Sequence, residues 1–150
     1  MLAELEFLYR TRLPQFRRVA AAIAGDRDAG RDAVQEAFAT AIRRRRSYAA
    51  TGSLEAWVWA IVVNTARDAR RRSREHSDEI PEVPAARADE VALPLNLLGE
   101  RQREIVFLHY YADLGYDAIA EALAISPNTV GAALNAARRT LRHALEEVRS

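Results

Sequence analysis

Residues 73–93 divide the chain. In that stretch Pro81 and Pro84 stand among six acids and two arginines, and no apolar period is sustained. Such a composition does not suit a packed element and reads as an acidic flexible linker. What remains on either side of it, residues 1–72 and 94–150, is long enough only for small domains with one modest core each. Period-two alternation is absent from both, while Ala, Leu, Arg and Glu dominate. The fold class expected is therefore all-α, two small helical domains joined by the linker.

The net charge of +1 conceals a strong asymmetry. Residues 1–72 carry fourteen arginines against eight acids, residues 73–93 carry a net −4 and residues 94–150 a net −1. The basic part is thus the first, and its cation is always arginine, the better phosphate fork and aromatic stacker. There is no cysteine, and His76, His109 and His143 are scattered, so no disulfide framework, metal site or cofactor is expected. No apolar run reaches the roughly 18 residues of a membrane span, and the start of the chain lacks a leader pattern; a cytoplasmic protein without membrane insertion is expected. Paired catalytic acids and phosphate loops are missing as well, which argues against an enzyme.

In the first domain, residues 2–24 give a helical pattern through Leu5, Leu8, Leu13, Phe16, Val19 and Ile23, which Pro14 is expected to kink. Gly25 suits the helix end and Asp26 the next N-cap. The helix that follows is expected to reach about Arg46. At about 100° per residue, its Val34, Phe38, Ala41 and Ile42 form a core stripe, and Asp32, Gln35, Glu36, Ala39 and Arg43 fall elsewhere. After a loop ending at Gly52, Ser53 can cap a third helix. There Leu54, Val58, Ile61, Val62 and Thr65 are expected to be buried, while Trp57, Asn64, Arg67, Asp68 and Arg71 line one flank. That flank joins an aromatic, an amide and guanidinium groups, a set that suits single-stranded nucleic acid through stacking and phosphate attraction. The alternative is a core tryptophan with arginines at a helix C-terminus, where cations are favoured anyway. Trp57 and Trp59 lie about 200° apart, so they cannot both face one core.

In the second domain, apolar-periodic segments run from Arg101 to Ala112, from Tyr116 to Ala124, and onward from Ser126. Ser126 is a good N-cap and Pro127 sits where a first-turn proline is welcome. Two helices joined by a three-residue turn, sealed by Ile119, Leu123, Ile125 and Val130 with small Ala120 between them, describe a helix-turn-helix.

The succession Gly25-Asp26, Asp32-Ala-Val-Gln-Glu-Ala-Phe38, Trp57, Ile61-Val-Val-Asn64, Asp68 and Arg70-Arg71, followed by the helix-turn-helix, resembles bacterial RNA polymerase sigma factors of the extracytoplasmic-function group, in the sigma-70 family. The resemblance spans roughly residues 5–72 and 94–146. It implies a sigma domain 2 bundle over residues 1–72, a linker over 73–93 and a sigma domain 4 helix-turn-helix over 94–150. It further implies a subunit that binds core RNA polymerase and directs promoter-specific initiation. Asp32, Gln35, Glu36 and Phe38 would dock on polymerase. Tyr48, Asn64, Arg67, Arg70 and Arg71 would hold the melted minus-ten element, with Tyr48 and Asn64 as candidates for an extracted base. Asn128, Thr129, Asn135, Arg138, Arg139 and Arg142 would meet minus-thirty-five DNA. Promoter DNA and core polymerase are then the partners, with an anti-sigma protein as a frequent third.

The departures lie in the second domain. Gly131, Ala133 and Ala136 stand where the family often has basic side chains, which weakens the case for duplex binding. Ala124 replaces a usual turn glycine and Gly99 a usual proline. Two other functions fit part of the pattern: a sigma-like interaction protein with a weakened reading helix, and a stand-alone helix-turn-helix regulator, which would need a symmetric dimer.

Overall fold

The computed structural model describes residues 1–49, 52–76 and 95–149, and every regular element among them is helical. The order is α1 (Leu2–Ala24), α2 (Arg27–Arg43), α3 (Leu54–His76), α4 (Glu100–Tyr110), α5 (Tyr116–Leu123) and α6 (Pro127–Arg149). Single 3-10 turns lie at Arg45–Ser47 and Leu95–Leu97. Helix α3 continues through residues 73–76, so the first four residues assigned to the linker are helical. The remainder of the linker falls outside the described residues.

Helix α1 runs unbroken to Ala24 although Pro14 lies inside it. Proline removes one backbone donor from the helix; here its ring is exposed, and buried Leu5 and Phe16 on either side of it keep both parts of the helix on the core. Gly25 ends α1 with φ 106°, its N–H donating to the Ala21 carbonyl at 2.9 Å. A left-handed φ is cheap only for glycine. The Asp26 carboxylate then accepts from the Ala29 N–H at 2.7 Å, which starts α2.

Helix α2 stops at Arg43, three residues short of the expected end. Arg44 leaves helical geometry with φ −97° and ψ 11°, and side chains take up the freed carbonyls. Arg45 donates to Ile42 and Ser47 to Arg44, both at 2.7 Å. The buried stripe of α2 is Gly30, Ala33, Val34, Ala37, Phe38 and Ala41. Ile42, expected within it, is 42% exposed, because it lies about 100° beyond Ala41 at the stripe's edge.

Helix α3 packs on α1 and α2 and, on a further side, on α5. Val58 and Val62 are buried as expected, whereas Leu54, Ile61 and Thr65 are only half-buried. The sequence reading passed over Ala56, Trp59, Val63 and Ala66, which are all buried. A helix covered from more than one direction buries more than a single stripe. At the centre Phe16 and Trp59 are in ring contact, with centroids 4.3 Å apart.

In the second half, α4, α5 and α6 enclose Ile105, Leu108, Ile119, Val130 and Leu134, none of which is exposed. Ser126 caps α6, its hydroxyl accepting from the Thr129 N–H at 3.1 Å. Ala124 ends α5 in the left-handed region at φ 57°, a conformation that costs an L-residue roughly 1–2 kcal/mol. The turn therefore keeps the geometry of a glycine turn without the glycine. The two halves touch along α1–α4 and α3–α5, and a single cluster of buried apolar residues runs through both.

Gly30 marks a close helix crossing: a Cβ there would lie 2.5 Å from the backbone N and Cα of Ala21. Neither is the end of a flexible side chain, so α1 and α2 would have to separate. Gly30→Ala is expected to destabilise the protein by about 1–3 kcal/mol, read as a lower urea midpoint at unchanged slope.

Candidate nucleic-acid interface

The loop before α3 is closed by its own side chains. The Tyr48 hydroxyl donates to the Gly52 carbonyl, and the Tyr48 and Trp57 rings lie 5.5 Å apart. Ser53 caps α3 through its hydroxyl, which accepts from the Ala56 N–H at 3.3 Å. Trp59 is fully buried and Trp57 half-buried, so the tryptophans divide as their 200° separation requires, one into the core and one to the rim of the loop. Tyr48 and Trp57 together make an aromatic ledge at the start of the α3 flank.

Farther along the same flank, Asn64 is exposed and its Oδ1 accepts from Arg67 at 3.3 Å. Most of the Arg67 fork goes elsewhere: Nε and Nη2 donate to the two oxygens of Glu104, at 2.6 and 2.5 Å. Glu104 is 3% exposed and is the buried charged residue among those described. Its hydrogen bond holds the Arg67 guanidinium above its ordinary pKa, against the opposing effect of burial. Arg70 goes the other way: burial lowers its pKa, and the neighbouring charges of Arg74 and Arg103 add to this. Its Nε is covered and has no hydrogen-bond partner. Arg71 pairs with Asp68 at 3.1 Å, both well exposed. Arg67, Arg70, Arg71 and Arg74 thus line one wall of a cleft whose other wall is Glu100, Arg101 and Glu104 of α4.

On α2, Asp32, Gln35 and Glu36 are exposed together, and Glu36 meets Arg72 of α3 at 3.8 Å. An exposed pair at that distance holds neither side chain firmly. Phe38 is placed differently from these three. It is 6% exposed and packs edge-on against Tyr9 and Phe16, at 5.1 and 5.2 Å, so its ring serves the core and is not offered to a partner.

On α6, Asn128, Thr129, Ala132, Asn135, Arg139 and Arg142 are exposed. The Thr129 hydroxyl is 2.8 Å from that of Ser126, which ties it to the helix cap. Arg138 donates through Nε to the Tyr110 hydroxyl at 2.9 Å and lies over that ring, 5.9 Å from its centre. Ala133 packs against the core. A Cβ on Gly131 would touch the Tyr116 ring at 3.4 Å. The open face of α6 therefore carries amides and arginines around the bare position Ala132.

Two residues that the sequence reading did not single out join the site. Glu104 stands four places before Leu108 and so on the apolar face of α4, a hint of a buried charge. Glu121 gives no such hint. Its carboxylate accepts from the Ser53 N–H at 3.0 Å and lies where a Cβ on Gly52 would have to go.

Two family models match separate parts of the chain. The model of sigma-70 region 2 matches residues 8–76 and that of sigma-70 region 4 matches residues 90–141. The chain belongs to the sigma-70 family, in its extracytoplasmic-function group. Among solved structures it is similar to the sigma factor RpoE of Bartonella quintana, crystallised with the anti-sigma factor NepR. That match has a TM-score of 0.76 and 25% identity, over 95% of this chain and 97% of that one. It is also similar to CnrH in complex with the cytosolic domain of CnrY, with a TM-score of 0.75 and 19% identity, over 98% of this chain and 90% of that one. No significant match to a curated protein sequence is found. Sigma factors of this family are non-enzymatic initiation factors. Among the described residues no helix is long and apolar enough to cross a membrane.

The contrast within the α2 site is measurable. Phe38→Ala should cost about 3–5 kcal/mol, as for a buried aromatic. Gln35→Ala should stay within about 0.5 kcal/mol, as for an exposed polar residue. Parallel urea titrations followed by circular dichroism separate the two.

Proposed function

We propose that this sigma factor acts in the cytoplasm, docking on core RNA polymerase through the exposed Asp32, Gln35 and Glu36 of α2 and holding melted minus-ten DNA on the adjoining flank of α3. One observation carries the reading: an acidic, amide-bearing surface and an aromatic, arginine-rich surface lie side by side on one rigid bundle. Tyr48 and Trp57 offer stacking to an unpaired base, and exposed Asn64 offers hydrogen bonds to a base edge. Arg70 and Arg71, with Arg67 once it is released, attract the phosphates. Pulling a base out of the stack costs a few kcal/mol, which such contacts return.

The C-terminal half would approach minus-thirty-five DNA with Asn128, Asn135, Arg139 and Arg142. Arg138 is steered by Tyr110, and Thr129 supports the helix cap more than it faces outward. Affinity for a promoter would then come from two weak contacts joined by the residues between them. A third partner fits a groove lined by Leu95, Val106, Tyr110, Leu134, Leu141 and Leu145. Its mostly apolar lining suits an amphipathic helix, and both solved relatives are complexes with a regulatory partner. We read it as the place for an anti-sigma protein.

Run-off transcription with core polymerase over a library of promoter fragments tests the reading directly; addition of the chain should create selective start sites. Charge reversal by Asp32→Lys with Glu36→Lys should weaken binding to core polymerase by roughly tenfold or more, the loss of about 1.4 kcal/mol, while the helical signal is kept. Unchanged capture of the polymerase by the double variant would remove the docking face.

The bare helix α6 gives a separate expectation. Ala132→Arg with Ala136→Arg adds two potential phosphate contacts. Duplex binding should tighten, and the slope of log affinity against log salt should steepen by roughly 1.8. A titration at several salt concentrations in which the slope does not change would mean that α6 does not lie along a phosphate backbone.

A further inference from the structure

We propose that Ser47 is a phosphorylation site for an arginine-directed serine kinase, and that its phosphate weakens the hold of the first bundle on a single strand. The effect on the strand rests on the reading of the α3 flank as the strand-binding surface; the modification itself does not. Three hydroxyl residues directly follow paired arginines in this chain: Ser47, Ser73 and Thr140. Ser73 lies inside α3 and Thr140 inside α6, where the Thr140 hydroxyl donates to the Ala136 carbonyl at 3.1 Å. A kinase draws the backbone around its acceptor into its own cleft, and an α-helix must first unwind to allow that. Ser47 is placed otherwise. It is exposed, it ends the single 3-10 turn Arg45–Ser47, and Tyr48 after it is already extended at φ −66° and ψ 113°. Only its own N–H and hydroxyl, both donating to the Arg44 carbonyl at 2.8 and 2.7 Å, tie it to the end of α2.

The arginines before it serve twice. Arg43 and Arg45 turn back onto their own helix, Arg43 to the Thr40 hydroxyl at 3.0 Å and Arg45 to the Ile42 carbonyl at 2.7 Å. The exposed Arg44 and Arg46 guanidiniums have no partner among the described residues. They are open first to the acids of a kinase cleft and afterwards to the phosphate itself. In the transfer the γ-phosphorus of a nucleoside triphosphate bonds to Ser47 Oγ as its bond to the β–γ bridging oxygen breaks. The hydroxyl proton passes to the carboxylate of the kinase and the nucleoside diphosphate leaves. The product carries a charge of about −1.5 to −2 at pH 7. The last carbonyls of α2 oppose it with roughly half a charge, against the full charges of four arginines, so the arginines prevail. Tyr48 is the next residue, and neighbouring Cα atoms are about 3.8 Å apart. That is well inside the Debye length of about 10 Å at 0.1 M salt, so the phosphate repels a strand laid on the ledge of Tyr48 and Trp57. Glu36, the nearest of the acids on α2, lies about two helical turns farther back from the end of that helix, and docking through that face is expected to persist.

The test treats the full chain with magnesium ATP and the catalytic domain of a serine kinase that requires arginine at the second and third positions before its acceptor. Tandem mass spectrometry should place a single phosphoryl group on Ser47. Ser47→Ala should take up none, and Arg44→Ala should be labelled roughly tenfold more slowly. The phosphoprotein should bind a short fluorescein-labelled single strand roughly tenfold more weakly than the unmodified chain, with the same helical content and the same capture of core polymerase. Ser47→Ala carried through the same reaction should bind the strand as the unmodified chain does. Labelling of Ser73 or Thr140 in place of Ser47 would overturn the proposal. Equal strand affinity before and after Ser47 is modified would overturn it too. Run-off transcription with the unmodified chain tells the possible failures apart. Selective start sites beside either of those results defeat the phosphoserine alone, and no transcription at all defeats the functional reading and the strand effect with it.

Discussion

The contact between Phe16 and Trp59 at the centre of the first bundle orients everything that faces outward. With Trp59 fully enclosed by α1 and α2, the rotation of α3 about its own axis is fixed. Trp57 must then emerge at the rim, and Asn64, Arg67, Asp68 and Arg71 must follow along the outer flank. The fit is strong enough to tolerate an indole N–H that is buried without a hydrogen-bond partner, a defect worth about 1–3 kcal/mol. The close crossing at Gly30 adds stiffness by bringing two backbones together where no side chain intervenes. The result is a platform on which polar surfaces keep a constant spacing.

On that platform the electrostatics are uneven in a useful way. The exposed pairs Glu36–Arg72 and Asp68–Arg71 are weak and easily exchanged for other partners. The Arg67–Glu104 pair is covered and geometrically specific. Between these extremes Arg70 is partly covered, repelled by neighbouring arginines and incompletely bonded. An arginine in that condition is poorly satisfied by the protein around it and well disposed toward an added anion. The α3 flank thus combines charges that are spoken for with one that is not.

The sequence made the architecture legible because helix punctuation was strong: Gly25, Asp26, Ser53, Ser126 and Pro127 all stand where the helices begin or end. The helical class, the helix-turn-helix and the outward polar face of α2 followed from period and caps. Core membership on α3 was harder. A one-sided period picked Val58 and Val62 but passed over Trp59 and Val63, since only the tertiary arrangement puts α5 on a further side of this helix. Phe38 shows the opposite difficulty. The period put it in the core stripe, where it lies, and only its place in one motif with exposed Asp32, Gln35 and Glu36 suggested a docking role. Contacts between the halves were not legible at all, because nothing local in Glu121 marks it as the partner of a backbone N–H sixty-eight residues away.

The burial of Glu104 reaches beyond the closed molecule. Once α4 is free of α3, its carboxylate turns into solvent beside Glu100, Arg101 and Arg103, and the start of that helix carries exposed charge of both signs with no net excess. Helix α6 carries Arg139 and Arg142 on its exposed side. A separated C-terminal half would therefore be drawn to a polyanion along α6, while the charge-balanced start of α4 would neither add to that pull nor oppose it.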